Sequence, residues 1–301
     1  MIAEIKLSRI LFATDFLESS RVALDYAVAF AEHFHATIVM LHVVELTQAA
    51  REVEAETAGP SLMRRAAQER LDVLATGVRR LGLAVETHID DGIPSDVILS
   101  AVDRFHANLL VLGVHGVHRG LEHLLIGSNT EKILLSARCP TLTVGAHVLS
   151  GVDLQLHFDK ILYLSDFTQE ATAAAPYAIF LGDAFDAPIE VYQLMPAIAE
   201  DNQRLQLALA DECCKSMKAA LGDASPDWCE AVFHLERGMA VDQLIERAQR
   251  QHASLIVLGV HTESQLHRHL HTSFAYHLLA RATCPILSVR RHDAPSIKAA
   301  T

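Results

Sequence analysis

The sequence predicts two tandem α/β domains, each built on a five-stranded parallel sheet. Three observations lead there. The chain repeats itself at a period of about 145–151 residues, too long for a solenoid unit and long enough for a domain with its own core. Ile10-Leu-Phe-Ala-Thr-Asp15 returns as Ile161-Leu-Tyr-Leu-Ser-Asp166, Leu109-Leu-Val-Leu-Gly113-Val-His115 as Leu255-Ile-Val-Leu-Gly259-Val-His261, and Cys139-Pro-Thr-Leu-Thr-Val144 as Cys284-Pro-Ile-Leu-Ser-Val289. Within each copy, short apolar runs alternate with stretches of helical periodicity, the pattern of a parallel sheet covered on both faces.

In the first copy Leu7 to Ala13 reads as a strand ending at Asp15. Ser19 or Ser20 is then expected to cap a helix, because Val22, Ala23, Tyr26, Ala27, Phe30 and Phe34 recur at helical spacing. Thr37 to Val44 is a continuous apolar run and hence a buried strand. Residues 48–81 are rich in Ala, Glu, Arg and Leu with a break at Gly59-Pro60, which starts the second helix near Ser61. Val85 to Ile89 is a third strand, and Ser95 is expected to cap a helix carrying Val97, Ile98, Ala101 and Val102. Leu109 to Leu112, a helix from Ser128 to Ala137, and Leu142 to Val144 complete the domain. The second copy predicts strands at Lys160 to Ser165, Ile189 to Leu194, Ala231 to Leu235, Leu255 to Leu258 and Ile286 to Val289. Its helices are expected near 168–184, 199–221, 240–251 and 273–282. The domains are placed at residues 1–148 and 155–292, joined by a short segment from Gly145 to Phe158. The two terminal strands are short and apolar, so an internal pseudo-twofold that pairs them, making an intrachain pseudo-dimer, is expected. A homodimer is the alternative assembly.

Composition limits the partners. With 50% hydrophobic residues in 301, both cores can be filled without a metal or disulfide staple. The net charge of −12 divides as −5 and −7 over the halves, which disfavours nucleic acid and anionic membrane. The N-terminus carries no apolar leader pattern, and five cysteines without a framework fit a reducing cytoplasm; a cytoplasmic location is therefore expected.

Chemistry concentrates after the fourth strand. Gly113-Val-His115-Gly116 enters a loop that closes on Gly127-Ser128-Asn129 at a helix start. Glycines let backbone amides approach an anion, and a helix N-terminus adds a positive dipole end, so the pattern suits a phosphate cradle. The same glycines also suit ordinary turns. Neither a Walker loop nor a Rossmann fingerprint is present.

At these residues the chain resembles the universal stress protein family in its tandem form. The resemblance runs from Ile10 to Val289 and includes Thr14-Asp15-Phe16, Leu41-His42-Val43 and the Cys-Pro pairs. It implies an adenine nucleotide alpha hydrolase-like fold and ATP, with or without magnesium, as the cofactor of the first domain. The implied contacts are Ala13, Thr14, Asp15 and Val43 for base and ribose, Leu112 and Gly113 near the ribose and first phosphate, and Gly116, Gly127, Ser128 and Asn129 for the phosphates. The family spacing is Gly-x2-Gly-x9-Gly-Ser/Thr; here ten residues separate Gly116 from Gly127, and Gly120 can absorb the extra one as a bulge. In the second domain the spacing is regular, but Thr262 and Thr272 replace two glycines. Threonine resists positive φ, so that loop is expected not to wrap phosphates in the same way.

Other signals are weaker. Asp166 is expected to hold its turn, and Asp15 can do so while facing ligand. Ser128 reads as a helix-start residue rather than a nucleophile. His115, His118 and His123 line the loop as phosphate hydrogen-bonders, whereas His267, His269 and His271 read as surface residues, with a metal site as the alternative. Cys213 and Cys214 read as fillers of a helix. The leading expectation is an ATP-binding regulator of stress survival acting through an unidentified protein partner. A slow ATPase or autophosphorylating enzyme and a nucleotide-free scaffold are the alternatives, since no base, metal carboxylate pair or arginine finger is recognisable.

Overall fold

The computed structural model describes residues 5–45, 62–114, 127–148, 158–166, 168–195, 211, 215, 232–237, 241–260 and 268–293. These fall into two compact units, one between residues 7 and 148 and one between 158 and 293.

The first unit begins with strand β1 (Arg9–Thr14) and helix α1 (Glu18–Phe34), followed by β2 (Thr37–Val44), α2 (Leu62–Arg79) and β3 (Val85–Asp91). Helix α3 (Pro94–Arg104), β4 (Leu109–Gly113), α4 (Ser128–Ser136) and β5 (Thr141–Val144) complete it. The strands are ordered β3-β2-β1-β4-β5 and every pairing is parallel. The order reverses direction beside β1, so the carboxyl ends of β1 and β4 open a crevice there. Burial explains the apolar runs: Ile10, Leu11, Phe12, Val39, Met40, Leu41, Leu110 and Val111 have no exposed surface. Helix α1 buries Val22, Ala23, Ala27 and Phe30 against the sheet and ends at His35 in the left-handed conformation, φ 53°.

Helix starts differ from the sequence expectation. The N-cap of α1 is Leu17, with no side-chain cap bond, and Ser19 and Ser20 lie buried in the first turn. The N-cap of α3 is Ile93 with Pro94 at the first helical position, and Ser95 is again inside the helix. A proline's fixed φ and missing N–H suit that first position, so the cap falls on Ile93 and the serine lies two residues past it.

The second unit holds β6 (Ile161–Ser165), α5 (Gln169–Phe185), β7 (Ile189–Met195), β8 (Val232–Arg237), α6 (Val241–Arg250), β9 (Leu255–Gly259), α7 (Arg268–Arg281) and β10 (Ile286–Val289). Its parallel order is β10-β9-β6-β7-β8, the same arrangement. Apart from Asp211 and Lys215, both helical, the helix expected over 199–221 lies outside the described residues, as do Cys213 and Cys214. At the edge of this core lies a partly buried ion pair. Lys160 Nζ donates to Glu190 Oε1 at 2.5 Å, the Tyr192 hydroxyl donates to Glu190 Oε2 at 3.0 Å, and that hydroxyl lies 2.8 Å from the Gln251 side-chain amide. Burial, reinforced by Glu190, pushes the Tyr192 hydroxyl up to about 12. Among the described residues no helix is long and apolar enough to cross a membrane.

Candidate functional site

Sheet register brings the expected base-side residues together. Ala13 pairs with Leu41 on one side and Leu112 on the other, Thr14 pairs with His42, and Gly113 ends β4 beside Val144. Val43 lies one residue further along β2, half-exposed. The carboxyl ends of three adjacent strands therefore meet at Ala13, Thr14, Val43, Leu112 and Gly113.

Asp15 holds the turn that leaves β1. Its Oδ1 accepts from the Leu17 amide (2.9 Å) and from the Ser20 hydroxyl (2.7 Å), and Thr14 Oγ1 lies 3.2 Å from Ser20 Oγ. Phe16, next in line, has φ 63°, a region costly for a bulky residue. Its amide donates to Thr14 Oγ1 (3.0 Å), and its ring stacks on His42, centroids 4.4 Å apart, with the Arg70 guanidinium 5.0 Å above the centroid. His42 Nδ1 in turn lies 2.8 Å from the Thr14 carbonyl oxygen. Sequence reasoning gave Ser20 only a possible helix-capping role and assigned nothing to Arg70. The repeated Phe after Asp was the available pointer to Phe16.

The two described loop glycines do different work. A Cβ on Gly113 would stand 2.3 Å from Ser20 N and 2.6 Å from the Ser19 carbonyl oxygen, so this glycine lets the first turn of α1 lie directly on the end of β4. Gly127 is exposed, with φ −58° and ψ 145°, and an added Cβ would meet nothing within 4 Å. It is the N-cap of α4. The Glu131 amide donates to the Gly127 carbonyl (3.1 Å), which leaves the amides of Ser128, Asn129 and Thr130 without an intrahelical acceptor. Ser128 is exposed and Asn129 half-buried. Gly116, Gly120, His115, His118 and His123 lie outside the described residues.

In the second unit Asp166 Oδ1 accepts from the Thr168 amide (3.1 Å) and the Thr168 hydroxyl, and Thr168 caps α5 by accepting from the Ala171 amide at 3.2 Å. Asp166 thus has the turn-holding role expected of it. Gly259 repeats the contact of Gly113, its Cβ position lying 2.2 Å from the Glu170 carbonyl carbon. Helix α7, however, starts at Arg268 rather than 273, so Thr272 and Ser273 are inside the helix. Interior helical amides bond the carbonyl four residues back and are not open to an anion. Thr262, His261 and His267 lie outside the described residues.

The sequence profile described as the universal stress protein family matches residues 6–145 and again 157–290. The chain belongs to the universal stress protein family. A curated universal stress protein of Methanocaldococcus jannaschii is 27% identical over 143 residues, covering 45% of this chain and 81% of its own length. A universal stress protein A homolog of Coxiella burnetii is 29% identical over 143 residues, 45% of this chain and 94% of its own. Among solved structures, a universal stress protein from Archaeoglobus fulgidus superimposes with a TM-score of 0.69 at 19% identity, covering 95% of this chain and 97% of that one. One universal stress fold thus occurs twice in this chain, in the adenine nucleotide alpha hydrolase-like class, and the tandem arrangement has a solved counterpart of the same extent.

Proposed function

We propose that the first universal stress domain binds ATP, with base and ribose toward Ala13, Thr14, Asp15 and Val43 and phosphates toward Gly116, Gly127, Ser128 and Asn129, and that occupancy regulates a stress response. The observation that carries this reading is the open space at Gly127. Its backbone conformation is one that any residue adopts, and none of the described residues occupies its Cβ position. Glycine suits this N-cap position and, having no side chain, also leaves the backbone open to an approaching ligand. The three amides that follow, which have no intrahelical acceptor at the positive end of α4, supply what a phosphate would use. Ala13, Leu112 and Val43 offer an apolar floor, and Asp15 a carboxylate. Magnesium, where it accompanies ATP, would neutralise phosphate charge.

Native mass spectrometry of freshly purified protein and calorimetric titration with ATP test the reading. One nucleotide per chain is expected. Gly127→Val should lower ATP affinity at least tenfold while the fold survives, and Thr272→Val should leave the stoichiometry at one. Two nucleotides per chain, or none, would overturn it.

A further inference from the structure

Beside the β1–α1 turn, on the outer side of Phe16, a cleft of about 370 Å³ opens between α1 and α2. That volume sits at the small end of ligand pockets, roughly 300–1,000 Å³. Its apolar wall comes from Phe16, Leu17, Leu24, Val73 and Leu74. Leu17 is 55% exposed and Val73 72% exposed, and both face one cleft rather than being scattered singly. Leu17 is informative because the same chain shows the alternative: at the matching N-cap of α5, Thr168 accepts a backbone hydrogen bond that Leu17 cannot make. The first domain has given up a helix cap for apolar surface at the mouth of the cleft.

The charges on the wall select the headgroup. Arg21 is engaged by Glu18 through Nε (3.0 Å) and Nη2 (2.5 Å). Arg70 lies over the Phe16 ring, and among the described residues no carboxylate is within ion-pair distance of its guanidinium. Glu69 also lines the cleft, which disfavours a multiply charged group such as a polyphosphate. We propose that this cleft binds a small amphiphile with an apolar body and a single carboxylate, the carboxylate meeting Arg70 and the body lying along Leu17, Leu24 and Val73. The cleft adjoins the proposed nucleotide site, since Thr14 and Ser20 also line it, and the two ligands are expected to sit side by side across the β1–α1 turn.

Octanoate is the probe and 1-octanol its neutral control, titrated calorimetrically into the full chain below micelle-forming concentrations. Saturable one-to-one binding of octanoate is expected. Arg70→Gln should weaken octanoate at least tenfold and octanol less than twofold, whereas Val73→Glu, at an exposed position, should abolish both with an unchanged melting curve. Saturating ATP should leave octanoate affinity within twofold. Absence of saturable binding, indifference to Arg70→Gln or to Val73→Glu, or direct competition by ATP, which would make the cleft part of the nucleotide site, would each overturn the proposal.

Discussion

Gly113 and Gly127 belong to one spaced motif, yet opposite physical demands hold them. At Gly113 the obstacle to a side chain is helix backbone, which cannot swing aside as a flexible side chain would. Overpacking a core costs about 1–3 kcal/mol, and a backbone obstacle places Gly113→Ala at or above the upper end, roughly 3 kcal/mol, read from the urea midpoint. Gly259→Ala should behave alike, because Glu170 and Ala171 stand where Ser19 and Ser20 do. Gly127→Val puts a poor capping residue at an exposed N-cap and should cost about 1 kcal/mol, well below Gly113→Ala, while its main effect falls on ligand. This division was not legible in the sequence, where both residues read as loop glycines. A pattern of spacings records which positions lack a side chain, not which neighbour excludes it. That Ala13, Thr14 and Leu112 stand together at adjacent strand ends was legible, because a parallel sheet brings those ends into register.

At the scale of elements, strands were read closely: β10 has the bounds expected and β4 extends one residue further, to Gly113. Apolar runs bounded by turns leave little freedom to a strand buried on both faces. Helix starts were less legible, since a serine serves equally as a cap or in the first buried turn. Ser20 took the second role, bonding Asp15 from inside α1. Pro94 was the overlooked signal for α3, and nothing in the residues before Thr272 announced that α7 begins at Arg268. The uncapped start of α1 yields a prediction with two readouts. Leu17→Thr should recreate the cap seen at Thr168 and raise stability by about 1 kcal/mol in urea unfolding. It also removes apolar surface from the cleft between α1 and α2, so octanoate affinity should fall as stability rises. Parallel changes in the two quantities would show that Leu17 serves packing alone.

For the whole molecule, the second unit makes the chain vulnerable at alkaline pH. Burial raises the Cys284 thiol from 9.0 to about 12. A folded pKa above the unfolded one gives stability that is complete below the unfolded value and lost as pH rises toward the folded one, so unfolding free energy should fall between pH 9.0 and about 12. Tyr192, raised from 10.0 to about 12, steepens the same decline from pH 10.0 upward. Cys284→Ala should flatten the slope below pH 10.0, measured by urea melts across that range. The contact repeated at Gly113 and Gly259 reaches further, to the way a duplicated gene can fall silent in one half. Because a helix turn rests on each of these two residues, selection for folding alone preserves them whether or not the domain carries cargo. Gly127 answers to no such demand from the described residues, so on the proposed reading it is a place where a ligand can be lost without loss of the protein. In a doubled chain of this kind, the strand-end glycine testifies only that a domain folds.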